Sequence, residues 1–256
     1  MLSESWLAFP AGVFIATAAS SVGIGGGILW MPFLLIVMKL KPDAAVFTSL
    51  LIQGVGMGSG TLAYARKKQV DPQLALFLLG VAIPGILAGG WVTTQLKADH
   101  LELFLGVLTL TTAFLFVSAN QEYNDTGLSR ITITDAKPYA AVVSVMAVAS
   151  GMLSVSIGEW LIPLLRSRLK LRMRIAVATS IATIFGTCLL GALIHFFLGA
   201  KAHLSVLAWA LPGVLLGGQL GPQVMEHIHE RRLKEVFVFL LTLIGIHLIL
   251  SLIHIS

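Results

Sequence analysis

Glu159 is the side chain with the most chemistry to offer. It lies in S-G-M-L-S-V-S-I-G-E-W-L-I-P, Ser150 to Pro163, apart from the basic run that opens at Arg166. A carboxylate in apolar surroundings is costly and marks a functional site by default. Such a group could take up and release a proton. Two plainer roles stand beside that one. Arg166 follows seven residues later, about 10 Å along a helix, within reach for an ion pair. Glu159 could also simply sit at an interface.

An earlier stretch, S-S-V-G-I-G-G-G-I-L-W-M-P, Ser20 to Pro32, reads as a relative of the first, with Ile28 where the second has Glu159. Glycines let the backbone leave helical geometry, and Pro32 cannot donate a hydrogen bond. Where a helix restarts after such a break, its free N–H groups and dipole favour an anion. Gly25, Gly26 and Gly27, with Ser156 and Gly158 in the second break, are therefore candidate ligand contacts. The plainer reading is close helix packing through small residues. That reading is preferred for Gly54, Gly56, Gly58 and Gly60 and for the Pro84-Gly85 and Pro212-Gly213 blocks.

Thr48-Ser49 and Thr179-Ser180 are matched hydroxyl pairs that could donate to an oxyanion or bond back to their own helix. Gln53 shares a face with Ser49, one turn on, and adds an amide. His195, His247 and His254 have no carboxylate at helical spacing and read as packed or interfacial. His203, His227 and His229 belong to loops. The single cysteine, Cys188, excludes a disulfide framework or a cysteine metal site. No metal, cofactor, nucleophile motif or phosphate loop is expected, and the chain does not read as an enzyme or an ATP-driven pump.

The elements that must position these residues are set by composition. Hydrophobic residues make up 57% and charged residues 11% of the 256-residue chain, against about 25% charged in soluble domains. Mean hydropathy is +0.92. Eight windows lack Asp, Glu, Lys and Arg: Ser5–Met38, Ala44–Ala65, Pro72–Leu96, Leu103–Gln121, Pro138–Gly158, Ile175–Ala200, Ala202–Met225 and Val236–Ser256. A bilayer core takes roughly 20 apolar residues as a helix, and backbone groups in lipid must pair internally. The expectation is an all-α integral membrane protein of about eight transmembrane helices, with broken helices at Gly23–Pro32 and Ser154–Pro163. The lipid bilayer is its surrounding. Although the net charge is +5, the cations cluster at helix ends, which excludes nucleic acid as the partner they serve. Ser3-Glu4-Ser5 is not a basic leader, so the first hydrophobic segment is expected to be retained.

The chain also repeats itself. At an offset of 131 residues, Gly27 matches Gly158, Pro32 matches Pro163, Lys39-Leu40-Lys41 matches Lys170-Leu171-Arg172, and Thr48-Ser49 matches Thr179-Ser180. At 128, Pro84–Gly90 matches Pro212–Gly218. Ordered matches of this kind mean duplication. The first four-helix repeat is placed at 1–119, a polar linker at 120–137 and the second repeat at 138–256. Four spans per half would make the halves parallel; a re-entrant hairpin at each break would make them inverted. With eight alternating spans, Lys39 and Lys41 share a side with Lys97, the Arg166–Arg174 run and Arg231–Lys234. That side holds 11 cations against 6, with Arg66-Lys67-Lys68 dissenting, and the positive-inside rule places both termini outside.

These motifs, in this order, resemble the TauE/SafE sulfite exporter family. The resemblance rests on Gly23 to Pro32, Lys39 to Pro42, Ala45 to Leu50, and the Pro84-Gly85 and Pro212-Gly213 blocks. It implies a multi-pass transporter of a bacterial-type plasma (inner) membrane that moves a small sulfur-containing anion such as sulfite, sulfoacetate or another organosulfonate. It also implies that both breaks and the Thr-Ser pairs line the site. The second break departs from the family pattern, with Ser156-Ile157-Gly158-Glu159 in place of a fuller glycine run. The expected function is secondary transport by alternating access, with proton coupling through Glu159. A channel-like anion conductor, or a transporter of a non-sulfur small organic anion, is the alternative.

Overall fold

The computed structural model describes residues 4–96, 98–118 and 127–227, with 238–239, 242–243 and 245–246 beyond them. Its elements are α1 (Ala8–Val22), α2 (Gly27–Pro32), α3 (Pro42–Arg66), α4 (Pro72–Thr93), α5 (Ala98–Ser118), α6 (Ile133–Ala136), α7 (Ala140–Leu153), α8 (Gly158–Pro163), α9 (Met173–Phe197) and α10 (Leu204–His227). Among the described residues there is no β-strand, only an isolated bridge between Leu128 and Leu171.

Six helices are long and apolar enough to cross a membrane: Ser5–Val22, Pro42–Arg66, Pro72–Thr93, Ile133–Leu153, Met173–Phe197 and Leu204–Glu226. Gly27–Val37 and Leu103–Phe114 are shorter apolar helices. The expected last span, Val236–Ser256, with His247 and His254, falls largely outside the described residues. The fourth of the six begins at Ile133, where Thr132 and Asp135 form a capping box, and it runs on through α7.

Local chemistry explains where the helices stop. α1 ends at Gly23, whose φ of 79° is left-handed and whose N–H donates to the Ala19 carbonyl. α7 ends in the same way at Ser154, φ 57°, a conformation that costs a non-glycine residue about 1 kcal/mol. α2 and α8 each end at a proline and continue as a π-helical turn, Phe33–Val37 and Leu164–Arg168. Each turn is followed by a left-handed lysine, Lys39 or Lys170. α3 opens with Pro42 at its first position, and α4 with Pro72 behind an Asp71 cap that accepts from the Leu74 N–H.

The first hydrophobic window does not cross as one element. Glu4 and Ser5, where it enters, and Val37 to Lys41, where it leaves, line one cavity of about 550 Å³ together with Lys201 and His203. The two ends of the α1–α2 segment therefore lie close together, as in a hairpin. α3 and α10 both start at that cavity, and their far ends are tied by the Lys67–Glu226 ion pair, 2.8 Å. The second hairpin, α6–α7 and α8, enters from the opposite face. Its outgoing turn leads to Lys170–Arg172, which hydrogen-bonds Leu128 just ahead of α6.

This grouping of the cations differs from the one expected for eight alternating spans. Lys39 and Lys41 share a face with Lys201, while Arg66-Lys67-Lys68 shares the other with Arg166–Arg174. The reason is that a hairpin consumes a long apolar window without changing sides.

Packing is tightest where glycines meet backbone. α1 lies along α10, α4 along α7, and α3 against both α9 and α10. A Cβ at Gly85 would strike the Ser144 carbonyl, and one at Gly213 the Phe9 carbonyl. The Pro-Gly blocks are thus close-approach faces, as the small-residue reading held.

Candidate functional site

The two breaks meet at the centre of the molecule. Gly25 and Ser156 occupy matching positions, 131 residues apart, and touch: the Gly25 N–H donates to Ser156 Oγ at 2.7 Å. A Cβ at Gly25 would overlap the Ser156 side chain. A Cβ at Gly27 would overlap the Ser154 carbonyl, and one at Gly158 would lie 2.8 Å from the Gly23 carbonyl. The last two contacts are one contact with the two breaks exchanged. α2 and α8 thus start close together.

Ser156 relays that donor character to the carboxylate. Its Oγ accepts from the Gly25 N–H and, at 3.2 Å, from the Gly158 N–H, and donates to Glu159 Oε2 at 2.6 Å. Glu159 is 1% exposed, and its Oε1 has no hydrogen-bond partner. The ion pair with Arg166 considered from the sequence is not formed: Arg166 Nη1 donates to the Leu171 carbonyl at 2.8 Å.

Gln53 approaches from α3. Its Nε2 lies 2.8 Å from Ser154 Oγ, 2.9 Å from the Ser154 carbonyl and 3.0 Å from Ser49 Oγ. These contacts hold Ser154 in its left-handed conformation, in place of a glycine. They also occupy the amide N–H groups, so Gln53 presents Oε1 to the break, buried and without a partner. That oxygen lies 2.9 Å from where a Gly27 Cβ would be. The matching clamp on the other side is simpler: Ser180 Oγ donates to the Gly23 carbonyl at 2.8 Å.

The remaining candidates stand away from this centre. Thr48 Oγ1 accepts from the His203 N–H at 3.0 Å, and Thr179 Oγ1 accepts from the Asp71 N–H at 3.1 Å. Each threonine fastens the residue just ahead of α10 or α4, the helix of the other repeat. Gly26 faces Ile15 and Trp30. Sequence reasoning passed over Ser154, which aligns with Gly23 at the same offset. It read His195 as packed or interfacial, in keeping with its burial, and passed over its match with Tyr64. Tyr64 Oη donates to the Ser20 carbonyl at 2.9 Å, and His195 Nε2 lies 3.0 Å from the Gly151 carbonyl. Each holds the last turns of a first hairpin limb, and the signal available was again the offset of 131.

An all-helical, multi-pass membrane protein with two discontinuous elements meeting at its centre is the class these features define. Residues 8–248 match the family model described as Sulfite exporter TauE/SafE, and the chain belongs to that family. It is 26% identical to the probable membrane transporter protein YunE of Bacillus subtilis (strain 168), over 93% of this chain and 94% of that one. It is 25% identical to the probable membrane transporter protein YjnA of the same organism, over 93% and 97%. A shorter match, 33% identical over 40% of this chain and 39% of the other, joins it to the probable membrane transporter protein ORF9 of Sinorhizobium sp. No solved structure matches the chain.

Proposed function

We propose that the protein is a secondary transporter of a small sulfur-containing anion, sulfite, sulfoacetate or another organosulfonate, working by alternating access across a bacterial inner membrane. The supporting observation is the meeting of the two breaks, where Gly25 hydrogen-bonds Ser156. Half-helix N-termini starting close together in a buried region suit an anionic group, and broken helices in matched positions are how secondary transporters build a midplane site. The breaks and Ser49, Ser180 and Gln53 would shape that site; Thr48 and Thr179 would act by anchoring helices. The reciprocal contacts across the breaks favour two duplicated halves in inverted orientation, each opening with a hairpin that carries one of the breaks. Rocking one half against the other would expose the centre to one face and then the other.

Glu159 would be the coupling group. It is buried, unpaired with any cation among the described residues, and linked through Ser156 to the spot where the anion would sit. A proton taken up there offsets the charge of the cargo, which otherwise costs about 2.3 kcal/mol per 100 mV to move. Purified protein in liposomes should show sulfite or sulfonate flux that a pH gradient drives. Glu159→Gln should keep exchange of anion for anion and lose the response to the gradient. A variant still driven by the gradient would remove Glu159 from the coupling step.

A further inference from the structure

We infer that the cavity at the heads of α3 and α10 is a second anion site, where Lys39, Lys41 and Lys201 collect a small sulfonate or similar oxyanion at the membrane surface. This rests on the sulfur-anion reading for its ligand class, and the site is separate from the breaks. The cavity holds about 550 Å³, within the range of about 300–1,000 Å³ usual for small-molecule pockets. The three lysines come from two places in the chain, the turn after α2 and the turn before α10, yet line one space. All three are exposed, and none of their ammonium groups has an ion-pair or hydrogen-bond partner among the described residues. Glu4 and Asp43 line the same space, so three positive charges stand against two negative ones. A lysine is a compact point charge on a flexible stem, suited to brief capture, and the two carboxylates keep the hold weak enough for release.

The duplication supplies an internal comparison. The Lys39-Leu40-Lys41 turn has its copy at Lys170-Leu171-Arg172. There the Lys170 carbonyl and the Arg172 N–H bond Leu128, and Arg172 Nε donates to the Gly127 carbonyl. At the first turn the matching Lys39 carbonyl and Lys41 N–H have no partner among the described residues. One copy is closed by a crossing segment; the other is left open on a cavity. His203 adds a neutral donor to the lining. Its Nδ1 accepts from the Val206 N–H at 3.4 Å, which leaves the proton on Nε2.

The position suits collection. α3 begins at the cavity with Asp43 and carries Gln53 ten residues on, about 15 Å along the helix. That is about half the thickness of a bilayer core. A cleft with an excess of one charge raises the local concentration and arrival rate of counter-ions by about tenfold or more.

Ala44 lines the cavity, and Ala44→Cys places a thiol there. In the purified full-length protein, its modification by a sulfonate-bearing methanethiosulfonate is timed against that by the trimethylammonium-bearing reagent, each relative to free cysteine. The unaltered chain, with its buried Cys188, gives the background. The sulfonate reagent should be favoured several-fold. Glu4→Gln should raise that preference, and glutamine in place of all three lysines should abolish it. Methanesulfonate should slow the reaction more than chloride at equal ionic strength. A thiol that neither reagent reaches, no preference for the sulfonate reagent, or a preference that survives loss of the lysines overturns the inference. Equal slowing by methanesulfonate and chloride also overturns it, leaving a diffuse positive surface and no site. Stronger protection by a short-chain phosphatidylglycerol would give the lysines to a lipid headgroup and overturn the assignment to cargo. Each of these results leaves transport through the breaks standing, which flux in liposomes tests separately.

Discussion

Ser156 stands where the first break has Gly25, and the exchange of one hydrogen for a hydroxymethyl group gives the centre its polarity. The Ser156 hydroxyl accepts from two backbone N–H groups and donates a hydrogen bond to Glu159. The arrangement works because its partner is glycine. Gly25→Ala would push a methyl group into Ser156 and break the bond between the two loops. Transport should fall at least about tenfold, and stability by roughly 1–3 kcal/mol, the usual cost of overpacking. Flux in liposomes and thermal unfolding of the purified variant check the two parts. Ser180→Ala is the milder companion. It leaves the Gly23 carbonyl without its donor and should cost about 1–3 kcal/mol, measurable as a lowered melting temperature. Residue chemistry was legible in the sequence where it was unusual: a carboxylate in an apolar run, four glycines in five positions from Gly23 to Gly27. It was hidden where partners are remote. Nothing near Thr48 in the chain points to His203, and a serine at a left-handed helix end, as at Ser154, leaves no mark until its glutamine partner is seen.

Each helix takes its place through contacts that hydropathy does not encode. α4 shows the difference within one element. Gly80 has nothing within 4 Å of an added Cβ, whereas Gly85, five residues on, meets the Ser144 carbonyl and the Ala147 side chain. Gly80→Ala should therefore leave the protein unchanged or stabilise it by about 0.5–1 kcal/mol through reduced backbone entropy. Gly85→Ala should force α4 and α7 apart and cost several times as much. Comparing the two melting temperatures checks the packing; similar values would mean that α4 and α7 are not in close contact. The positions of the breaks were readable because glycine and proline act locally. The direction the chain takes after each break was not. A broken span and a re-entrant hairpin use the same residues, and only the cavity shared by Ser5 and Lys41 distinguishes them. The small-residue reading of the Pro-Gly blocks held because such close approach needs glycine at the point of contact.

Over the whole molecule the hairpins reorganise the charge. Among the described residues, Lys39, Lys41 and Lys201 lie on the face where the chain enters. The other ten cations, Arg66 to Lys68, Arg130, Lys137 and the five from Arg166 to Arg174, belong to the opposite face. The dissent of Arg66-Lys67-Lys68 under eight alternating spans disappears. We propose, from the positive-inside rule, that the ten-cation face is cytoplasmic and the N-terminus outside. Cysteine labelling in intact cells tests this directly. Cys188 is the one native cysteine, buried within α9, and should stay silent to a membrane-impermeant maleimide. Lys201→Cys should react in intact cells, and Arg130→Cys only after the membrane is opened. Reversed labelling would keep the hairpins and turn the molecule over. Labelling of both from the same side would sink the inverted arrangement itself. Alternating access by opposed halves would go with it, since that cycle requires one hairpin to be reached from each face.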